Sequence, residues 1–97
     1  MALTEREMFR VAEMKNYVAR REQYKCFQCG NATPLGQGQL AHRVGQGKLN
    51  IRLYGKAVIH HPKNIRWVCS LPCNQKVSID SRPLDVAELV KKIESEL

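Results

Sequence analysis

Apolar residues recur near the helical period at Met8, Val11, Met14 and Val18, with polar residues between them. Thr4 and Glu7 have the spacing of a capping box, so residues 5–22 are predicted to form an amphipathic helix. The other end of the chain mirrors this pattern. Ser81 is placed to cap a helix and Pro83 sits in its first turn. Val86, Leu89, Val90, Ile93 and Leu97 then make a stripe that predicts a helix over 82–96. Between these helices the period breaks. Gly30, Pro34, Gly36, Gly38, Gly45, Gly47 and Gly55 mark turns and leave short strands near 39–44 and 65–68. No internal repeat or low-complexity tract interrupts the 97 residues, which read as one α+β domain.

A chain of this length has a thin core, so a covalent or metal staple is expected. The four cysteines supply one. They fall into two close pairs, Cys26-x2-Cys29 followed by Gly30, and Cys69-x3-Cys73. A tetrahedral zinc ion needs four soft ligands converging from two knuckles, and this spacing provides them. A redox CxxC would call for a strand–helix context and no matching second pair. Two disulfides would suit a secreted chain. Neither secretion nor a bilayer span is indicated, because charge arrives at Glu5 and no apolar run is long enough. The expectation is a cytoplasmic protein with structural zinc.

Charge then sharpens the picture. The formal net charge is +7, and all nine acidic residues lie toward the two ends. Between Gln23 and Ile79 there is no carboxylate, while Lys25, Arg43, Lys48, Arg52, Lys56, Lys63, Arg66 and Lys76 all fall there. Zinc held by four thiolates contributes −2, which leaves the domain basic. Such segregation fits a polyanion, with nucleic acid the first candidate. All three histidines, His42, His60 and His61, and the asparagines Asn64 and Asn74 share this middle region with the cysteines.

In order, "CFQCG", "LAHRV", "HPKN" and "VCSLPCN" resemble the HNH (ββα-metal) nucleases over about residues 26–78. The resemblance implies a zinc-stapled ββα-metal core, two strands followed by a short helix at about 73–79, flanked by the terminal helices. It implies DNA as partner and phosphodiester hydrolysis as reaction, with His42 as general base. Asn64 would tie the loop between the strands and orient that base. Asn74 would contact a catalytic Mg²⁺ or Mn²⁺, with Mn²⁺ better suited to neutral ligands. Many members carry an acidic residue or second histidine just before the base, where this chain has Ala41. His61, or else His60, is then expected to supply that contact. Arg43, Lys48, Arg52, Lys56, Lys63, Arg66 and Lys76 are candidates for phosphate contacts. One such domain nicks a single strand per encounter as a monomer, whereas double-strand breaks would need a homodimer through the terminal helices or independent nicks.

Two other classes fit parts of the pattern. A non-catalytic zinc-knuckle module that binds nucleic acid explains the cysteines and the basic middle, but gives His42, Asn64 and Asn74 no role. A protein-interaction adaptor built on the two amphipathic helices leaves the acid-free middle unexplained.

Overall fold

The computed structural model describes residues 5–34 and 37–97. The expected Thr4–Glu7 capping box and the turn at Gly36 lie outside the described residues. The element order is α1 (Glu5–Arg21), β1 (Gln39–His42), α2 (Lys48–Tyr54), α3 (Lys56–Ile59), a 3-10 turn (Pro62–Asn64), β2 (Ile65–Val68), α4 (Leu71–Val77) and α5 (Pro83–Glu94). No helix among the described residues is long and apolar enough to cross a membrane.

The two strands pair antiparallel, with Gln39 opposite Val68, Leu40 opposite Trp67, Ala41 opposite Arg66 and His42 opposite Ile65. Side chains alternate along a strand, so each pair commits to one face. Leu40, Ile65 and Trp67 meet Met14, Val18 and Ala19 of α1 on one side. Ala41 and Val68 meet Val77 of α4 and the cysteines on the other. A third cluster joins Val58 and Ile59 of α3 to Val86, Val90 and Ile93 of α5, with Val44 and Ile79 between them. The structure is thus a small α+β fold with a two-stranded sheet covered on both faces.

The terminal helices fall where the periodicity predicts, with revised ends. Among the described side chains of the α1 stripe, Val18 is buried, Met14 is partly covered and Val11 is exposed. Arg21 closes α1 by donating from Nη1 to Pro62 O at 2.8 Å and from Nη2 to Ile65 O. At α5, Arg82 rather than Ser81 occupies the cap position, and no side chain caps the helix. Leu97 lies beyond α5 and is exposed instead of extending its stripe. The predicted 73–79 helix begins earlier, at Leu71, with Pro72 in its first turn.

Strand β1 stops at His42 instead of reaching Val44, and the reason is a side chain. Asn64 accepts from Val44 N at 2.8 Å and donates back to Val44 O at 3.0 Å. One amide group thereby satisfies both backbone groups that a partner strand would otherwise pair. The connection that follows contains α2 and α3, which the turn signals did not predict. Gly47 and Gly55 are the ends of α2 rather than turns in an open loop, and Gly55 (φ 87°) separates α2 from α3.

Candidate metal centre and histidine cluster

The four thiols gather from both ends of the central region. Cys26 and Cys29 sit on a knuckle closed by Gly30 N donating to Cys26 O at 2.8 Å, with Gly30 at φ 78°. That positive φ suits glycine, and it turns the chain back so that Asn31 O accepts from Cys26 N at 2.9 Å. Phe27 N donates to Trp67 O at 2.8 Å, which docks the knuckle beside β2. Cys69 follows β2 and Cys73 lies in the first turn of α4.

The four Sγ atoms lie within 4.8 Å of one another. Cys29 Sγ and Cys69 Sγ are 3.6 Å apart, and Cys69 Sγ and Cys73 Sγ are 3.7 Å apart. These are not disulfides, whose sulfurs approach to ~2 Å. A tetrahedron with metal–sulfur bonds of ~2.3 Å has edges of ~3.8 Å, so the spacing fits a structural metal such as zinc. Burial pushes the Cys26 thiol up, but backbone N–H groups of Cys29, Cys69 and Gln28 outweigh it and bring its pKa to about 6. Cys73 is held by its surroundings at about 12: Ser70 favours its thiolate, but burial and the neighbouring thiols oppose it. A bound dication would favour the thiolate form of all four.

The second cluster centres on Asn64, which is fully buried. Besides its two bonds to Val44, Asn64 Nδ2 donates to Ile59 O at 2.8 Å. Its own backbone oxygen accepts from Arg43 N at 2.8 Å. One residue therefore fixes the chain on the far side of His42 and just before His60. The two rings meet edge to face, with His42 Nε2 3.3 Å from His60 Nδ1. Burial, followed by the neighbouring His60, holds the His42 pKa below its ordinary 6.5. His42 is thus neutral at pH 7 and able to accept a proton.

The other expected site residues go elsewhere. His61 Nδ1 accepts from Lys63 N at 3.1 Å and so caps the 3-10 turn. Its Nε2 lies 3.8 Å from Glu96 Oε2. His60, and not His61, is therefore the histidine brought to His42. Asn74 Nδ2 donates to Gln39 Oε1 at 3.1 Å and to Leu40 O at 3.2 Å. This attaches α4 to the start of β1, on the face that carries Ala41. Alternation along β1 turns His42 toward the opposite face from Ala41, and the hydrogen bonds of Asn74 go to Gln39 and Leu40 while that of His42 goes to His60. Ala41 is fully buried and packs in the core with Cys26, Val68 and Val77.

The acid-free stretch of sequence is not acid-free in space. Glu22 Oε1 pairs with Arg66 at 2.8 Å, and Glu96 pairs with Lys63 at 2.9 Å. Asp80 folds back and accepts from Gly45 N at 3.1 Å and from Asn50 Nδ2 at 3.2 Å. Lys63 and Arg66 thus already have carboxylate partners. Lys48, Arg52, Lys56 and Lys76 are exposed. Among the described residues, the cysteine cluster is the one group of three or more His, Cys, Asp or Glu side chains arranged to hold an ion. Asn74 Nδ2 is committed to β1, so its Oδ1 is the atom that would meet a divalent ion. The chain was compared with protein-family models, curated proteins and solved structures, and nothing matched.

Proposed function

We propose that the chain is a divalent-metal-dependent DNA endonuclease of the HNH kind, nicking one strand per encounter, with His42 as general base. The observation that carries this reading is the Asn64 clamp. A fully buried amide spends three hydrogen bonds on Val44 and Ile59, and so holds a neutral histidine in one place. A fixed neutral imidazole suits removal of a proton from water as the water attacks a phosphodiester. His42 would take that proton, Asn64 would position His42, and Lys48, Arg52, Lys56 and Lys76 would draw in the phosphate backbone. Zinc on Cys26, Cys29, Cys69 and Cys73 would hold the knuckle against the sheet. The chemistry of a catalytic divalent ion, which is neutralising the phosphate and the departing oxygen, would have to rest mainly on ligands from the substrate and water.

One observation favours a second reading, a non-catalytic zinc-knuckle module that binds nucleic acid. His42 bonds to His60 and Asn74 to Gln39 and Leu40, and no second ligand cluster accompanies them among the described residues. A nicking assay on supercoiled plasmid separates the two. The zinc-loaded chain is incubated with Mn²⁺ or Mg²⁺, alongside His42→Ala. Nicking by the parent and none by His42→Ala, at matched zinc content and DNA affinity, supports the nuclease. DNA binding without nicking under any divalent ion leaves the binding module.

A further inference from the structure

Arg43 is the one candidate cation that is neither free in solvent nor balanced. Its backbone is held from two sides, N–H to Asn64 O and C=O from Ile79 N, each at 2.8 Å. The side chain is half-buried, and its Nε is enclosed with no hydrogen-bond partner. Its guanidinium carbon lies 5.8 Å from the centre of the Phe27 ring, and that of Arg66 lies 4.5 Å from the same ring. Its neighbours have counter-ions: Arg66 has Glu22 at 2.8 Å and Arg82 has Asp85 at 3.3 Å. None of the ion pairs among the described residues includes Arg43.

A partly desolvated cation without an anion is unfavourable, and two further arginines nearby make it more so. Burial first, then repulsion from Arg66 and Arg82, destabilises its charge, with Asp85 offsetting part of this. Stacking on Phe27 does not resolve the deficit. That ring already faces Arg66 at closer range, and an aromatic face leaves the N–H donors without acceptors. What fits is an anion with several oxygens, able to take the guanidinium fork and to lie beside Arg66.

We propose that Arg43, flanked by Phe27 and Arg66, is a phosphate-binding site on the knuckle side of the sheet. Its occupant is a backbone phosphate of nucleic acid, a source that rests on the nucleic-acid reading above, whereas the anion site itself does not. Phe27 is 42% exposed and lies beside that site, where it can pack against the adjoining sugar or base. Arg43 then differs in kind from the exposed lysines. They add to a diffuse field, and it makes a fixed contact.

The test uses the full zinc-loaded chain and does not read cleavage, so a failure of the nuclease reading leaves it intact. Binding of a short labelled DNA duplex is measured for the parent, Arg43→Met, Arg43→Lys and Lys76→Met. The Arg43 Nε–H resonance of the parent is followed during titration with the duplex and, separately, with inorganic phosphate. Arg43→Met should weaken binding on the order of tenfold or more, with Arg43→Lys between it and the parent. Lys76→Met should weaken it by no more than about threefold. The Nε–H resonance should move to saturation with DNA. Without DNA, Arg43→Met should melt no lower than the parent, because no partner is stranded. If Arg43→Met fails to fold, the parental resonance still decides. An Nε–H unmoved at saturating duplex, or Arg43→Met binding as tightly as Lys76→Met, overturns the site. Saturation by inorganic phosphate at concentrations as low as those of DNA overturns the assignment to a nucleic-acid backbone.

Discussion

His42 Nε2 lies 3.3 Å from His60 Nδ1, and that single contact decides which nitrogen of each ring is free. Two neutral imidazoles share one hydrogen there, and either ring can donate it. If His42 donates, both rings carry their proton on Nε2, the tautomer that a neutral histidine side chain favours by itself. If His60 donates, both are forced to the Nδ1–H form. The first arrangement is therefore preferred, and it leaves His42 Nδ1 as the basic atom. Nitrogen-15 spectra at neutral pH should show His42 protonated at Nε2, and His60→Ala should move it toward a mixture of tautomers. A parental His42 protonated at Nδ1 would sink this assignment.

Asn64 is the residue whose loss should be felt most widely. Asn64→Ala leaves Val44 N, Val44 O and Ile59 O without their partners in a fully buried setting. Unpaired buried groups of this kind cost ~1–3 kcal/mol each before relaxation or water entry, so a net loss of about 3 kcal/mol is expected. Chemical denaturation with zinc held constant measures it. The His42 ring should also lose its single environment, visible as broadened or shifted resonances. A loss under about 1 kcal/mol would mean that the clamp is dispensable.

The cysteine cluster predicts one tightly held metal ion per chain. Elemental analysis of the purified protein should find zinc in one-to-one ratio. Chelation should melt the knuckle and loosen β2, since Phe27 N is docked on Trp67 O. Cys26→Ser should abolish tight binding, because Cys26 is the buried member of the set. A folded chain of unchanged stability after complete chelation would remove the structural role.

What the sequence made legible follows from local chemistry. The two cysteine pairs, the amphipathic stripes and the short segment Ile65–Val68 each announce themselves within a few residues. The tie made by Asn64 was legible only through the family resemblance, because Val44 and Ile59 are not neighbours in sequence. The choice between His60 and His61 was not legible at all. It depends on the 3-10 turn, which directs His61 to Lys63 N and Glu96 and leaves His60 facing His42. Charge misled in a similar way. Glu22 and Asp80 border the acid-free stretch in sequence and Glu96 lies well beyond it, but the fold carries them back onto Arg66, the Gly45–Asn50 loop and Lys63. Helix α2 escaped notice because it is short and only Ile51 and Tyr54 pack against the core, while Leu49 and Leu53 are exposed.

Gly38 offers a test of the sheet that is independent of function. Its φ is 122°, and a Cβ built there would overlap the Trp67 ring at Cζ2, Cε2 and Cη2. Trp67 cannot easily give way, since its Nε1 donates to Thr33 Oγ1 at 3.0 Å and its ring packs in the α1 core. Gly38→Ala should therefore destabilise the fold by roughly 2 kcal/mol or more, through overlap and backbone strain together. The emission of Trp67, the only tryptophan in the chain, should shift as its packing changes. Parental stability and emission in Gly38→Ala would show that the close approach is not rigid.

The acid dependence of His42 ties stability and, under the proposed nuclease function, activity to one group. Its pKa lies below the ordinary 6.5 because burial disfavours the imidazolium and because His60 sits beside it. In the unfolded chain it returns toward 6.5. Between the two values the unfolded chain binds more protons, so this contribution to stability rises with pH. It is fully present above about 6.5 and is lost as pH falls through the lower, folded value. Nicking that needs neutral His42 should have its acid limb below 6.5, at the pH where the His42 ring protons titrate by NMR. His60→Ala removes the neighbouring charge and lets water reach the ring, and both changes raise the pKa. Its acid limb and its NMR titration should therefore move together to higher pH. A nicking limb that stays in place while the NMR titration moves would show that His42 is not the base.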